Sequence, residues 1–186
     1  MVVPEAPLEM TKFGLRPGGQ GWFVVSAREI RWRDTGRFGA FCDFEGKRRF
    51  PDLGINLNVL QPGQPMGMYH RENAQEDFLV LAGECVLIVE GQERRLEAWD
   101  FVHCPGGTEH IIVATGDRAA IVVAVGARGR GVGGGVVYTV SELAARHGAS
   151  VERETTSAAE AYEKIREDLP RSRWVEYREG WLPDDD

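Results

Sequence analysis

The amino-acid sequence predicts a mainly β protein, an antiparallel sandwich or barrel with a short helical C-terminal extension. From Trp22 to Val125, apolar or alternating runs recur about every 8 to 12 residues between turn signals, a spacing typical of such folds. No helical period of useful length appears in this span. After Gly126 the chain becomes glycine-rich, and helix-capping patterns follow from Ser141 onward. These observations divide the chain into an N-terminal arm (1–21), a barrel (22–138) and an extension (139–186).

Composition and charge restrict the class of partner. The chain has 186 residues, of which 42% are hydrophobic, which suffices for one domain with its own core. Its formal net charge of −7 argues against nucleic acid or an anionic membrane as the main partner. From Ser141 onward, 12 acidic and 7 basic side chains give a net charge of −5, so the extension is the acidic part.

The cysteines and the absence of long apolar runs bear on location. Cys42, Cys85 and Cys104 lie far apart in apolar settings, and we expect buried, inert thiols in a reducing compartment. The first residues lack a basic segment followed by an apolar run, so no signal peptide is expected. No run approaches the roughly 18 apolar residues that a membrane span requires. The sequence therefore predicts a cytoplasmic protein.

The barrel strands follow one another with turn residues between them. In chain order they are predicted at residues 22–26, 38–44, 54–60, 66–72, 77–81, 85–89, 93–96, 100–104, 110–114 and 119–125, with one edge strand at 136–140. Alternation is strictest in 54–60, where the apolar residues share one face and Asn56 and Asn58 share the other.

The extension carries two helix patterns and an aromatic segment. The first helix is predicted over 141–147, with Ser141 as its cap. The second begins at a capping box, Ser157 to Glu160, carries an apolar stripe and ends at Pro170. Three aromatic residues follow, and we expect them to dock on the barrel or on a second subunit: Trp174, Tyr177 and Trp181.

Residues 129–134 spell the pattern GxGxxG directly after a predicted strand. In dinucleotide-binding proteins a helix opens on these glycines. Here the apolar segment 136–140 follows instead, so the glycines are interpreted as a linker.

Histidines and carboxylates gather in the middle of the barrel. His70 and Glu72 are two residues apart and share one face of a strand. A turn near Asn73 would bring Glu76, on the next strand, to the same inner surface. His110 begins a strand further along the chain. Because a buried unpaired carboxylate is expensive, either these groups face water or something positive lies among them. Without a metal, they would form a hydrogen-bonded polar cluster.

These residues resemble the two short motifs of the cupin family. The first motif reads Gly, His-x-His, three or four residues, Glu, six residues, Gly. It is matched by His70, Glu76 and Gly83, with Glu72 in place of the second histidine and Gly63 one residue too far ahead. The resemblance covers roughly residues 53–125.

The second motif reads Gly, five residues, Pro-x-Gly, two residues, His, three residues, Asn. Pro105, Gly107 and His110 match it in register, while Trp99 replaces the glycine and Ala114 the asparagine. The resemblance implies an antiparallel, jelly-roll type cupin β-barrel.

The resemblance also implies one divalent metal ion per chain, held by His70, Glu76 and His110. Three roles remain open for Glu72: a fourth metal ligand, a catalytic base, or neither. Two imidazoles and one carboxylate suit Fe(II), whereas participation of Glu72 would favour Mn²⁺ or Zn²⁺, and Ni²⁺ is a further candidate. We expect an enzyme of dioxygenase or isomerase/lyase type acting on a small, partly apolar molecule. The alternative is a non-catalytic binding or sensor module, with or without metal.

Other residues are given structural roles. Met66, Met68, Phe78, Val80 and Ile112 are expected to form an apolar cavity wall. Asp77 should face outward, and His103 is expected to be a satisfied structural histidine. Cupins commonly dimerise, so the resemblance also implies a homodimer.

Overall fold

The computed structural model describes residues 2–128, 135–165 and 173–183. The strands are β1 (Leu8–Thr11), β2 (Gly14–Pro17), β3 (Trp32–Asp34), β4 (Ala40–Cys42), β5 (Leu53–Leu60), β6 (His70–Glu72), β7 (Glu76–Ala82), β8 (Glu84–Val89), β9 (Gln92–Leu96), β10 (Phe101–Cys104), β11 (His110–Thr115), β12 (Ala120–Ala127), β13 (Val136–Tyr138) and β14 (Arg173–Val175). The helices are α1 (Glu142–Arg146) and α2 (Ala158–Ala161), with 3₁₀ turns at Gly36–Phe38 and Glu163–Ile165.

Two antiparallel sheets enclose the main core, as the predicted jelly-roll barrel requires. The larger has the order β10-β7-β12-β5-β4-β3-β14 and the smaller the order β13-β6-β11-β8-β9. Phe78 and Val80 from the larger sheet pack against Leu87 and Ile112 from the smaller one. A separate hairpin, β1-β2, lies within the predicted N-terminal arm.

The alternation predicted in β5 is present, and both of its faces are covered. Leu57 and Val59 belong to an outer cluster with Trp32. Asn56 and Asn58 face the interior of the barrel and line a cavity. Polar side chains inside a barrel are expensive unless they find partners, so their position indicates a site rather than a filled core.

The C-terminal segment docks on this chain's own barrel. Tyr177 and Trp181 join the outer cluster, and the rings of Trp181 and Trp32 lie 5.0 Å apart. Strand β14, which the sequence did not predict, pairs with β3 and places Trp174 against the guanidinium groups of Arg31 and Arg33.

Two predicted elements differ from the structure. Residues 22–26 form no strand. Within the described part of the chain, only Trp22 of this segment makes a bridge, and that bridge is to Glu5. An apolar run without a neighbouring strand to pair with remains a loop. The second helix is capped by Ser157 as predicted, yet its α-helical part ends at Ala161. The predicted end at Pro170 and the linker glycines at 129–134 lie outside the described residues.

The predictions for α1, the edge strand and the thiols are confirmed. Ser141 caps α1, and β13 lies at the edge of the smaller sheet. Cys42, Cys85 and Cys104 are free and buried. Burial raises the pKa of the Cys42 and Cys85 thiols to about 12, so both are protonated near neutral pH. No helix among the described residues is long and apolar enough to cross a membrane.

Candidate metal centre

His70 and His110 face each other across neighbouring strands of the smaller sheet. They are the paired residues of β6 and β11, and their ring centroids lie 5.0 Å apart. A cross-strand pair of this kind holds two side chains at a fixed spacing on one face of a sheet. The His110 side chain is only 3% exposed and that of His70 is 18% exposed. Both therefore point into the barrel.

Each imidazole is oriented in the same way. Nδ1 of His70 lies 2.8 Å from the carbonyl oxygen of Met68, and Nδ1 of His110 lies 3.0 Å from that of Thr108. A carbonyl oxygen can only accept, so each Nδ1 carries a proton and donates it. In a neutral ring, Nε2 then presents a lone pair to the interior, which is the form that ligates metals.

Glu76, at the start of β7, brings its carboxylate to both imidazoles. Its Oε2 atom lies 3.3 Å from Nε2 of His110 and 3.6 Å from Nε2 of His70. Oε2 of Glu76 and Nε2 of His110 are both buried, and neither makes a hydrogen bond to any described residue. Two such atoms that face each other need a positive charge between them, either a proton on the imidazole or a metal ion.

The geometry fits a divalent metal. One nitrogen from each histidine and one oxygen from Glu76 all lie within 4.8 Å of one another. Two ligand atoms at about 2.1 Å from a common metal are separated by roughly 3 to 3.5 Å when the angle between them is near 100°. The contacts that Glu76 makes fall in or close to this range, and a metal would satisfy both orphaned atoms at once.

The charges of the site agree with this description. Burial raises the pKa of Glu76, but the two imidazoles, His110 first, outweigh that effect and lower it to about 2. Burial lowers the pKa of His70, and attraction to Glu76 more than compensates, so the net shift is upward. The attraction between the carboxylate and the imidazoles thus keeps Glu76 ionised, the form in which it can bind a metal.

Glu72 lies beside the three converging groups. Its Oε1 is 4.0 Å from Nε2 of His70, and its side chain is 31% exposed. Burial, followed by repulsion from the Glu76 carboxylate, raises the pKa of Glu72. A carboxyl that holds a proton more readily than usual, next to a candidate metal centre, is suited to proton transfer.

The site opens into a cavity of about 230 Å³. Asn56, Asn58 and Glu72 line it together with apolar side chains that include Met66, Phe78 and Ile112. A larger concavity of about 880 Å³ lies elsewhere, among the acidic side chains of β8 and β9, and contains none of the converging ligand groups. We therefore regard the smaller cavity as the candidate functional site.

The predicted cavity wall needs two corrections. Met68 packs in a different cluster, with Phe38 and Val151, because the chain before β6 is not a strand and the expected alternation does not extend to it. Val80 is fully buried in the core between the sheets and does not reach the cavity. Met66, Phe78 and Ile112 line the cavity as predicted.

His103 and Asp77 are hydrogen-bonded to each other on the outside of the barrel. Nδ1 of His103 lies 2.7 Å from Oδ1 of Asp77, and the His103 side chain is 51% exposed. This agrees with the structural role expected for His103 and with the outward orientation expected for Asp77.

The sequence interpretation missed two tyrosines that line the cavity. Tyr138 of β13 pairs with His70 across the sheet, and their rings lie 6.1 Å apart. Tyr162 follows α2 and packs edge-on against Tyr138. The predicted edge strand was a signal for Tyr138, and the apolar stripe predicted for the second helix includes Tyr162. Neither pattern indicated that these side chains line the cavity.

Comparison with known families finds a match for the central part of this barrel. Residues 56–126 match the family model of the cupin domain. This part of the chain is therefore a cupin domain, which confirms the resemblance drawn from the two motifs. No curated protein is similar enough in sequence to count as a match.

Several solved structures are similar over part of the chain. A proposed sugar phosphate isomerase from Acidithiobacillus ferrooxidans is 26% identical, with a TM-score of 0.41, over 46% of this chain and 54% of its own. A sugar phosphate isomerase of the cupin superfamily from Silicibacter pomeroyi is 29% identical, with a TM-score of 0.40, over 42% of this chain and 52% of its own. KdgF from Halomonas sp. is 23% identical, with a TM-score of 0.46, over 52% of this chain and 85% of its own. The chain thus spans about half the length of the first two proteins.

Proposed function

We propose that this protein is a metal-dependent cupin enzyme that acts on a small, partly apolar molecule. One divalent ion would be held by His70, Glu76 and His110. The observation that carries the proposal is the pair of buried, unpartnered atoms, Nε2 of His110 and Oε2 of Glu76, that face each other 3.3 Å apart. Both atoms are acceptors when His110 is neutral, and a metal is the partner that suits them.

The cavity residues have separate roles in this proposal. A bound divalent metal would polarise an oxygen of the substrate. Asn58 donates its amide Nδ2–H to the carbonyl oxygen of Val122, which leaves its side-chain oxygen to accept a hydrogen bond from a substrate hydroxyl. Glu72 would take up or deliver the proton at the reacting carbon, because its carboxylate is close to the site and its pKa is raised.

The position of Glu72 favours a proton-transfer reaction of the isomerase or lyase type. The donor set favours a second candidate, because two imidazoles with one carboxylate are also the ligands of Fe(II) oxygenases. The identity of the bound metal separates these candidates. Iron together with oxygen consumption supports the oxygenase, whereas manganese, zinc or nickel supports the isomerase or lyase.

The cavity lining limits the charge of the substrate. None of the described residues that line the cavity is a lysine or an arginine. Phosphate groups are usually held by such cations or by helix N-termini. We therefore propose a substrate without a phosphate group.

The test is the metal content per chain, measured by plasma mass spectrometry after the protein has been incubated with each ion. We expect about one ion per chain in the wild type, and more than about tenfold weaker binding in His110→Ala. His103→Ala is the matched control, since it removes a histidine from the same barrel outside the cavity. Glu72→Gln should keep its metal if Glu72 transfers protons and should lose it if Glu72 is a ligand.

An absence of metal in the wild type would contradict the proposed enzyme. The same cavity would then be a binding or sensor module whose histidines and carboxylates form a polar cluster.

A further inference from the structure

We propose that Tyr162, from the C-terminal extension, is a positioning residue for His70 and completes the wall of the metal cavity. This inference rests on the proposed function, because it assigns His70 the task of binding a metal. Tyr162 lies outside the cupin-domain segment 56–126 and 92 positions after His70 in the chain. It nevertheless contributes to the lining of the cavity.

Met68 connects the tyrosine to the histidine. The hydroxyl oxygen of Tyr162 accepts a hydrogen bond of 3.2 Å from the backbone N–H of Met68. The carbonyl oxygen of Met68 accepts the bond from Nδ1 of His70, at 2.8 Å. One residue therefore carries both contacts, and its position determines the orientation and the tautomer of the imidazole.

The ring of Tyr162 is fixed by its neighbours. It packs edge-on against Phe38, with 5.3 Å between centroids, and against Tyr138, with 5.7 Å. Both distances are typical of favourable aromatic pairs. Gly67 allows the close approach, since a Cβ atom there would lie 3.2 Å from the Tyr162 hydroxyl oxygen. The hydroxyl is therefore held in place and does not sample many positions.

The extension also holds Tyr69, the residue immediately before His70. The backbone N–H of Tyr69 donates to the carbonyl oxygen of Ala149, at 2.6 Å, and its carbonyl oxygen accepts from Thr139, at 3.2 Å. The approach to His70 is thus fixed by three contacts with residues of the extension.

His110 provides an internal comparison. Its Nδ1 donates to Thr108, which belongs to the turn between β10 and β11, and the Thr108 hydroxyl and N–H both bond to Pro105 in that same turn. Among the described residues, those that orient His110 through these bonds belong to the barrel, whereas the extension contributes to the orientation of His70. A change at Tyr162 should affect one histidine and spare the other.

The test combines a measurement without metal with one on the loaded protein. In Tyr162→Phe, which keeps the ring but removes the hydroxyl, the ¹⁵N resonances of the His70 ring should shift toward a mixture of tautomers. Those of His110 should stay unchanged. Zn²⁺ affinity, measured by competition with a chelator, should fall about tenfold. Removal of a residue that orients a metal ligand typically weakens metal binding by about 10- to 100-fold, and we expect the lower end of that range.

Two variants control for general loss of structure. Tyr177→Phe also removes a tyrosine hydroxyl that accepts a hydrogen bond from a backbone N–H, in this case that of Leu182. Tyr177 lies in the outer cluster, away from the cavity. It should change neither the histidine resonances nor the Zn²⁺ affinity. Gly67→Ala in the wild-type background should weaken Zn²⁺ binding, because the new methyl group would press against the Tyr162 hydroxyl. The same substitution in the Tyr162→Phe background should weaken binding less, because that hydroxyl is absent there.

Unchanged His70 resonances in Tyr162→Phe would overturn the inference, as would an equal effect from Tyr177→Phe. If the wild type binds no Zn²⁺ at all, the proposed metal-dependent function fails. The resonances of the metal-free protein would still show whether Tyr162 positions His70.

Discussion

Trp99 occupies the position of the glycine in the second motif, and its backbone shows why that motif has a glycine. Its φ is +79°, in the left-handed region that side chains other than glycine rarely adopt. Its backbone is held there because its N–H donates to the carbonyl oxygen of Val80, at 2.7 Å. The side chain is 74% exposed, so little burial compensates for the strained backbone.

We expect Trp99→Gly to raise the free energy of unfolding by up to about 1 kcal/mol. The relief of the left-handed conformation, about 1–2 kcal/mol, exceeds the extra entropy of glycine in the unfolded chain. Urea denaturation of the wild type, Trp99→Gly and Trp99→Ala measures the difference. Trp99→Ala also removes the ring but keeps the strain, so it should be less stable than Trp99→Gly. Equal stabilities for these two variants would show that backbone strain is not important here.

At the scale of elements, β8 is bounded by two turn glycines that have similar backbones and different surroundings. Gly83 has a φ of +75° and Gly91 a φ of +70°. A Cβ atom on Gly83 would lie 2.5 Å from the carbonyl oxygen of Ala119, whereas one on Gly91 would have no heavy atom of the described residues within 4 Å. Only the first turn is closely packed against another part of the barrel.

Gly83→Ala should therefore destabilise the protein more than Gly91→Ala. Both substitutions place alanine in a left-handed conformation, at a cost of about 1 kcal/mol or more. Gly83→Ala adds a collision with backbone that cannot rotate away, and we expect at least about 1 kcal/mol beyond its control. Thermal and urea denaturation of both variants measures this difference. A smaller loss for Gly83→Ala than for Gly91→Ala would mean that the turn can shift to accommodate the methyl group.

Local sequence patterns correctly predicted the strands in which one face points into the barrel and the other points outward. In β5 and β7 the alternation of side chains identifies the inner face, and in β7 this places Glu76 beside Phe78. The spacing of the motifs predicted which groups would gather, and the structure brings His70, Glu76 and His110 together. Segment 22–26 has the same apolar character, yet nothing in its local sequence shows that it lacks a pairing strand.

The contacts made by the extension were beyond sequence reasoning for a physical reason. The apolar stripe predicted for the second helix includes Ala161 and Tyr162, and both pack in the cluster that contains Met68. The stripe indicates which face of the helix is buried, but not which part of the barrel it meets. The bond between Tyr162 and Met68 joins residues 94 positions apart. Such a contact depends on how the whole chain packs, and no local spacing encodes it.

The outer surface of the whole molecule is covered unevenly. The segment with Tyr177 and Trp181 protects the larger sheet around Trp32. At the opposite end of that sheet, the edge strand β10 presents Phe101, which is 64% exposed, close to Trp99. An exposed edge strand that carries large apolar side chains is a surface on which chains associate.

We expect a homodimer that uses the β10 edge, rather than the aromatic C-terminal segment considered from the sequence. Phe101→Lys should shift the protein toward the monomer, because a charge on an apolar edge opposes association. Light scattering after size-exclusion chromatography, over a range of concentrations, measures this. Val24→Lys, at an exposed apolar residue away from the β10 edge, is the control and should leave the mass unchanged. A monomeric wild type at all concentrations would show that the expected dimer is wrong.

The late position of Tyr162 in the chain also has a consequence for biosynthesis. A protein is made from its N-terminus, and parts of it can fold before the rest has been synthesised. His70, Glu76 and His110 all precede the extension, so the ribosome completes the three candidate ligands before the residue that steadies one of them. The nascent cupin domain would offer the proposed ion an open, loosely organised cavity, and full affinity would develop only once residue 162 has been added and has docked.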